Sequence, residues 1–287
     1  MSTLDLRPLS IGELLDRTFS LYRRNFLLFI GISAIPHLLV LGFQLTQLAL
    51  ASSRVPVRPR VTPGFSDGGV LGFLGFFFLG ILIYLIVYSV SQGGTVFAVS
   101  ELYLGRATTI GQSLGRVRGE LVSLFFVVIF YFLVLFVSFL FLIIPCIYMA
   151  CRLCVCIPAA LLENLGPVDA LQRSFKLTED NAGRAFLILL LYVVIQYAAI
   201  FLFDAPLLIA IGLKAAAHDP SMVRTLTALM QVANFCVGVL VTPVVTIASS
   251  IFYFDLRVRK EAFDLQVMMS PLDMGVPVPR AATTLLS

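Results

Sequence analysis

The sequence predicts an all-α membrane protein with six transmembrane helices, built as three repeats of an interfacial amphipathic helix followed by a transmembrane hairpin. Three observations lead there. Hydrophobic residues make up 59% of the chain, charged residues only 13%, and mean hydropathy is +0.99, whereas soluble domains carry roughly 25% charged residues. The apolar residues gather in uncharged runs from Asn25 to Ser53, Gly68 to Ser100, Leu121 to Cys151, Leu153 to Leu162, Ala185 to Phe203 and Thr225 to Phe254, and about 20 apolar residues suffice to span a bilayer. A short polar pattern also recurs: Leu15, Arg17, Phe19, Leu21 and Asn25 match Leu171, Arg173, Phe175, Leu177 and Asn181, while Ser10-Ile11-Gly12, Leu15 and Arg17 match Thr109-Ile110-Gly111, Leu114 and Arg116.

The elements follow in order. Between Ser10 and Asn25 the apolar Ile11, Leu14, Leu15, Phe19 and Tyr22 recur every three or four residues, and Glu13, Asp16, Arg17, Ser20, Arg23 and Arg24 fill the other face. Ser10 with Glu13 fits a capping box, which satisfies two orphan backbone donors of a first turn. Such a helix lies among headgroups, its apolar face toward acyl chains and its arginines toward phosphates. Span one, 26–50, comes next, followed by an aperiodic loop of Pro, Gly and Arg from Arg54 to Gly69. Span two, 70–97, is tilted or overlong, and Gly69, Gly72 and Gly75 at its start predict close helix packing. A second, glycine-rich interfacial helix near 109–120 carries Arg116 and leads to span three, 121–144. That span turns at Ile144-Pro145, because proline removes an amide donor and obstructs the preceding turn. Span four covers 146–162. The third interfacial helix, 167–181, sets Val168, Leu171, Phe175 and Leu177 against Asp169, Arg173, Lys176 and Glu179. Spans five, 185–203, and six, 232–252, complete the set, and the proline-bearing tail 266–287 reads as disordered. The chain thus divides into an N-terminal segment 1–25, a membrane domain 26–265 and a tail.

Each repeat contains two spans, so its copies keep one orientation, as in parallel repeats. Connections on the side of the termini hold fourteen Lys and Arg and those on the opposite side five, which places both termini in the cytoplasm. Asp5, Arg7, Glu13, Asp16 and Arg17 precede the first apolar run, unlike a cleavable signal peptide. The net charge of +4 is a topology signal with attraction to anionic headgroups and gives no reason to expect nucleic acid as a partner. Membrane lipids are the expected partners, at Arg17, Arg23, Arg24, Arg116 and Arg173, with a membrane protein as the second candidate.

Ionisable groups inside a membrane are costly and mark candidate sites. His37 falls near the middle of span one, Arg152 lies within span four, and Asp204 ends span five; Arg152 and Asp204 are expected to pair. Gln44, Gln47, Gln92, Gln196, Gln231 and Asn234 either line a cavity or bond helix to helix. Cys151 and Cys154 have CxxC spacing, with Cys156 close by, yet no second pair or His lies near in sequence to complete a tetrahedral site. We therefore expect helix packing from the cysteines, with no metal and no cofactor.

A family resemblance rests on three stretches. The opening Leu6-Arg7-Pro8-Leu9-Ser10-Ile11-Gly12-Glu13-Leu14-Leu15-Asp16-Arg17 is joined by Pro158-Ala159-Ala160-Leu161-Leu162-Glu163-Asn164-Leu165-Gly166-Pro167 and by Phe252-Tyr253-Phe254-Asp255-Leu256-Arg257-Val258-Arg259-Lys260-Glu261. Together they resemble the membrane domain of bacterial glycerophosphoryl diester phosphodiesterases over about residues 6 to 265. The resemblance implies a stand-alone protein of the bacterial inner membrane; in the fused relatives a separate soluble domain performs the hydrolysis, and this chain offers no room for it. The sequence also lacks GxSxG, Walker A and HExxH motifs. We expect a non-enzymatic protein that organises lipid or scaffolds a partner. The alternative is a transporter or channel with a polar path through His37 and Arg152, and an intramembrane enzyme comes third, requiring those two residues and an acid to converge.

Overall fold

The computed structural model describes residues 9–53 and 67–261. They are about 90% helical and contain no strand. In chain order the helices are α1 (Ile11–Arg24), α2 (Phe26–Ser53), α3 (Asp67–Tyr103), α4 (Ile110–Phe141), α5 (Ile143–Arg152), α6 (Cys156–Glu163), α7 (Pro167–Leu177), α8 (Ala182–Ala216) and α9 (Pro220–Glu261). Among the described residues, six stretches are long and apolar enough to cross a membrane: Phe26–Leu50, Leu74–Tyr103, Ile110–Phe141, Ile143–Glu163, Ala182–Ala216 and Pro220–Glu261. That is the pattern of a multi-pass membrane protein. The expected disordered tail and most of the loop from Arg54 lie outside the described residues.

Both ends of the described chain meet on one face. The Leu9 amide donates to Asp255 near the end of α9 at 2.6 Å, and Tyr103 at the end of α3 stacks on Phe254 with 4.8 Å between ring centres. Successive spans run away from and back to this terminus-bearing face. Helix α9 is the centre of the bundle, packed against α8, α2, α3 and α1. Its Ile247, Ile251, Phe252, Tyr253 and Leu256 are at most 1% exposed. Outward, Phe136, Phe139, Phe141, Ile143 and Ile144 are exposed, as befits side chains that meet lipid tails.

The capping box at the start of α1 forms as expected: the Ser10 amide donates to Glu13 Oε2 at 2.8 Å, and Ser10 Oγ accepts from the Glu13 amide at 3.3 Å. Thr109 and Gln112 make the same device on α4. There, however, the sequence expectation of a separate interfacial helix near 109–120 gives way to one continuous helix, Ile110–Phe141. Nothing between Glu120 and Leu121 interrupts it, and Val117 and Leu124 share one buried cluster with Val96 and Phe97.

Two further details of the span boundaries differ from expectation. The chain turns at Leu142, ahead of Pro145, because Pro145 is the third residue of α5, where a missing amide costs no helical hydrogen bond. Span four is broken at Leu153–Val155 into α5 and α6. A broken helix leaves carbonyls without partners, which must be satisfied inside a membrane. The Arg152 carbonyl accepts from the hydroxyls of Ser174 at 2.8 Å and Thr178 at 3.1 Å, both presented by α7 and the residue that caps it. That short helix is set into the bundle, with Ala170, Leu171, Ser174 and Leu177 buried. Leu14 of α1 is likewise buried against the core. The apolar faces of both helices therefore rest mainly on protein, where the sequence had suggested acyl chains.

Close backbone approach also occurs where it was not expected. A Cβ at Gly72 or Gly75 would meet open space, while one at Gly93 or Gly94 would run into side chains of neighbouring helices.

Candidate functional site

Among the described residues, charge on the terminus-bearing face is organised into three clusters of paired acids and arginines. In the first, the Asp255 side chain is 0% exposed and lies 2.7 Å from Arg184 Nη1 and 3.0 Å from Arg259 Nε. The Leu9 carbonyl accepts from the same two guanidinium groups at 2.8 and 2.6 Å. One carboxylate and one peptide unit thus tie the N-terminal segment to α8 and α9.

In the second cluster, Arg173 of α7 lies 2.8 Å from Glu163 and 2.5 Å from Glu261. Arg257 also bonds Glu261 at 3.1 Å, and the Tyr253 hydroxyl donates to Glu163 at 2.7 Å. Burial works against the charge on Arg173, but its hydrogen bonds to Glu163 and Glu261 hold its pKa above the ordinary value. Its side chain is 22% exposed. Arg173, an expected lipid contact, bonds Glu163 and Glu261 and so joins α6, α7 and α9.

The third cluster joins the ends of α3 and α4. Arg116 Nη1 is 2.5 Å from Glu101, and its guanidinium sits over the Phe97 ring at 5.4 Å. Arg106 approaches the same carboxylate at 3.7 Å. Among the remaining expected lipid contacts, Arg23 and Arg24 are exposed in the last turn of α1, and Arg17 is half-buried on that helix.

The three intramembrane residues are not brought together by any bond. His37 Nδ1 lies 2.7 Å from the carbonyl of Ser33, one turn back on α2, and a methyl group at Gly238 of α9 would come within 3.3 Å of its ring. It is a packed helix-interface histidine. Arg152 lies over Phe175 at 5.2 Å and Tyr148 at 6.0 Å. Its Nε and the Oδ1 of Asp204 are each buried without a hydrogen-bond partner. The expected ion pair between them is not formed. Arg152 is instead held against α7 and the residue that caps it, by its ring contact with Phe175 and by the hydroxyls that reach its carbonyl.

The polar centre of the bundle lies elsewhere. Thr246 of α9 donates to the Gln92 amide oxygen of α3 at 2.5 Å, and both are buried. They border a largely enclosed cavity of about 60 Å³ with Tyr88, Tyr131, Cys154 and Ser249. A water requires about 10–15 Å³ of such space and two to four polar partners, so the cavity can hold a small group of waters. His37, Arg152 and Asp204 do not border it. Thr246→Val removes the donor to Gln92 and is expected to cost about 0.6–1.7 kcal/mol, the range of interhelical hydrogen bonds in membranes. Equilibrium unfolding in mixed micelles tests this, and an unchanged midpoint would show that the bond contributes nothing.

Sequence reasoning singled out Gln92 but missed Thr246, and it gave Asp255 and Glu163 no role of their own. The one local signal was the four-residue spacing of Asp255 with Arg259 and Arg257 with Glu261 on a single helix. No family model matches the chain, nor does any curated protein or solved structure.

Proposed function

We propose that this chain is a non-enzymatic relative of the phosphodiesterase membrane domains, seated in the bacterial inner membrane, which organises anionic lipid at its terminus-bearing face. The observation that carries this reading is at the end of α1. Exposed Arg23 and Arg24 are followed at once by Phe26, 41% exposed, and Leu27, 80% exposed. Cations meet an apolar outer surface at the level where headgroups give way to tails. The excess of Lys and Arg on this face supports a cytoplasmic orientation. Three parallel units, opening at α1, α4 and α7, are the architecture we assign, supported by the shared capping box of α1 and α4.

Each Arg near an anionic surface contributes about 1 kcal/mol. Arg23→Gln/Arg24→Gln is therefore expected to lower the preference for phosphatidylglycerol over phosphatidylcholine roughly tenfold or more, read from the lipid retained around protein in mixed nanodiscs. Identical retention in wild type and variant would refute the reading. The cavity beside Gln92 and Thr246 favours a second reading, transport of a small polar solute, with a path through those residues and not through His37 and Arg152. Solute entry into proteoliposomes that is equal with and without the protein would dismiss it.

A further inference from the structure

We infer that the cavity at the α3–α4 connection is a binding site for one phosphate group, with a lipid headgroup as its first source. A cavity of about 380 Å³ opens there, bordered by Phe97, Glu101, Arg106, Thr108, Gln112 and Arg116. Its charge is unbalanced. Glu101 is 18% exposed and stands between two guanidinium groups, Arg116 at 57% and Arg106 at 69% exposure. One carboxylate neutralises one of them, so a positive charge is left facing the opening. This separates the site from the Arg173 cluster, where the two carboxylates of Glu163 and Glu261 balance Arg173 and Arg257.

The chemistry suits a phosphate. Guanidinium presents a planar fork of donors that matches phosphate oxygens in bidentate fashion. Arg116 is already oriented by the Phe97 ring beneath it, so less side-chain freedom is lost when the anion arrives. At the floor, the hydroxyls of Thr108 and Ser113 are 3.2 Å apart, and either can turn a proton toward a bound oxygen. Glu101 acts as an internal competitor for the arginines, which weakens the hold on any anion that enters the site. Apolar side chains are exposed in the same connection and farther along α4: Leu104 is 38% exposed, and Val122 and Phe126 are 71% and 48% exposed. Acyl chains have a place to run once the headgroup is held.

This site deepens the lipid reading and depends on it for the source of the phosphate. Purified protein in nanodiscs containing phosphatidylglycerol or phosphatidic acid, examined by native mass spectrometry, is expected to retain one anionic lipid. In Arg106→Gln/Arg116→Gln that retention should fall roughly tenfold or more. Glu101→Gln should instead tighten it several-fold, a gain that misfolding cannot imitate. Wild-type retention by the double variant, or a Glu101→Gln variant that binds no more tightly than wild type, would overturn the site. In a parallel arm, millimolar inorganic phosphate that displaces the lipid and binds the delipidated protein in detergent assigns the site to soluble phosphate; retained lipid assigns it to the headgroup. If Arg23→Gln/Arg24→Gln loses lipid preference while the cavity variants do not, this site fails and the wider reading stands. If the cavity variants alone respond, the site stands and the assignment of lipid contact to Arg23 and Arg24 fails.

Discussion

Asp255→Ala is expected to destabilise the folded protein by about 3–5 kcal/mol, the cost of removing one partner from a buried ion pair. The Asp255 carboxylate receives Arg184, Arg259 and the Leu9 amide, and its side chain is 0% exposed. Deleting it leaves the guanidinium of Arg184, itself 18% exposed, without a counter-charge, and it removes the acceptor of the Leu9 amide. Asp255→Asn keeps an acceptor for Leu9 while removing the charge, and it should fall between wild type and alanine. Combined with Arg184→Ala, the loss should be clearly less than additive, because groups in one network share their energy. Equilibrium unfolding of the detergent-solubilised variants reads all three. A loss below 1 kcal/mol for Asp255→Ala would mean that the clamp is incidental to the fold.

Gly93→Val and Gly94→Val should each cost about 1–3 kcal/mol or more through overpacking, and the pair should abolish folded yield. A Cβ at Gly93 would stand 2.7 Å from Leu124 Cδ2 and 3.2 Å from Val117 Cγ2, both on α4. At Gly94 it would stand 2.8 Å from Ile32 Cγ2 on α2 and 3.1 Å from Leu114 Cδ2 on α4. One doublet therefore lets α3 approach two neighbours at once. Inside a bilayer this matters more than in water, since lipid tails give helices no solvent-driven reason to associate and close packing must do it. The same helix supplies its own control. Gly72 and Gly75 face open space, and alanine there should be neutral or stabilising by up to about 1 kcal/mol, the helix-propensity gain over glycine. Equal losses at all four positions would show that helical glycine itself, and not contact, sets the effect.

These glycines illustrate what could be read in advance. Spacing alone drew attention to Gly69, Gly72 and Gly75, but spacing does not say which face of a helix meets a partner. Local features were legible: the capping box needs only Ser10 and Glu13, and hydropathy alone placed six spans. Pairing across the chain was not. The Leu9 amide and Asp255 are separated by 246 residues, and nothing near either of them announces the other. The same gap explains Arg173, whose place on an amphipathic helix suggested headgroups until Glu163 and Glu261 came beside it. Arg152 was matched to Asp204 by depth alone, whereas it lies over Phe175 and Tyr148. The interruption at Leu153–Val155 was equally hidden. Once two hydroxyls on another helix can accept the role of backbone donors, a break inside a membrane costs little, and no local pattern marks it.

The lengths of α8 and α9, 35 and 42 residues, correspond to about 52 and 63 Å at 1.5 Å per residue. A hydrocarbon layer is about 30 Å thick, and ordinary tilts near 20° shorten a rod by only a few per cent. The hairpin they form, tipped by Lys214, His218 and Arg224, therefore overhangs the far side of the membrane by on the order of 20 Å. Its foot is bolted at Asp255. Because α9 is buried at intervals from Val237 to Leu256, the bundle grips the hairpin along its lower part, and any rocking is confined to the overhanging tip.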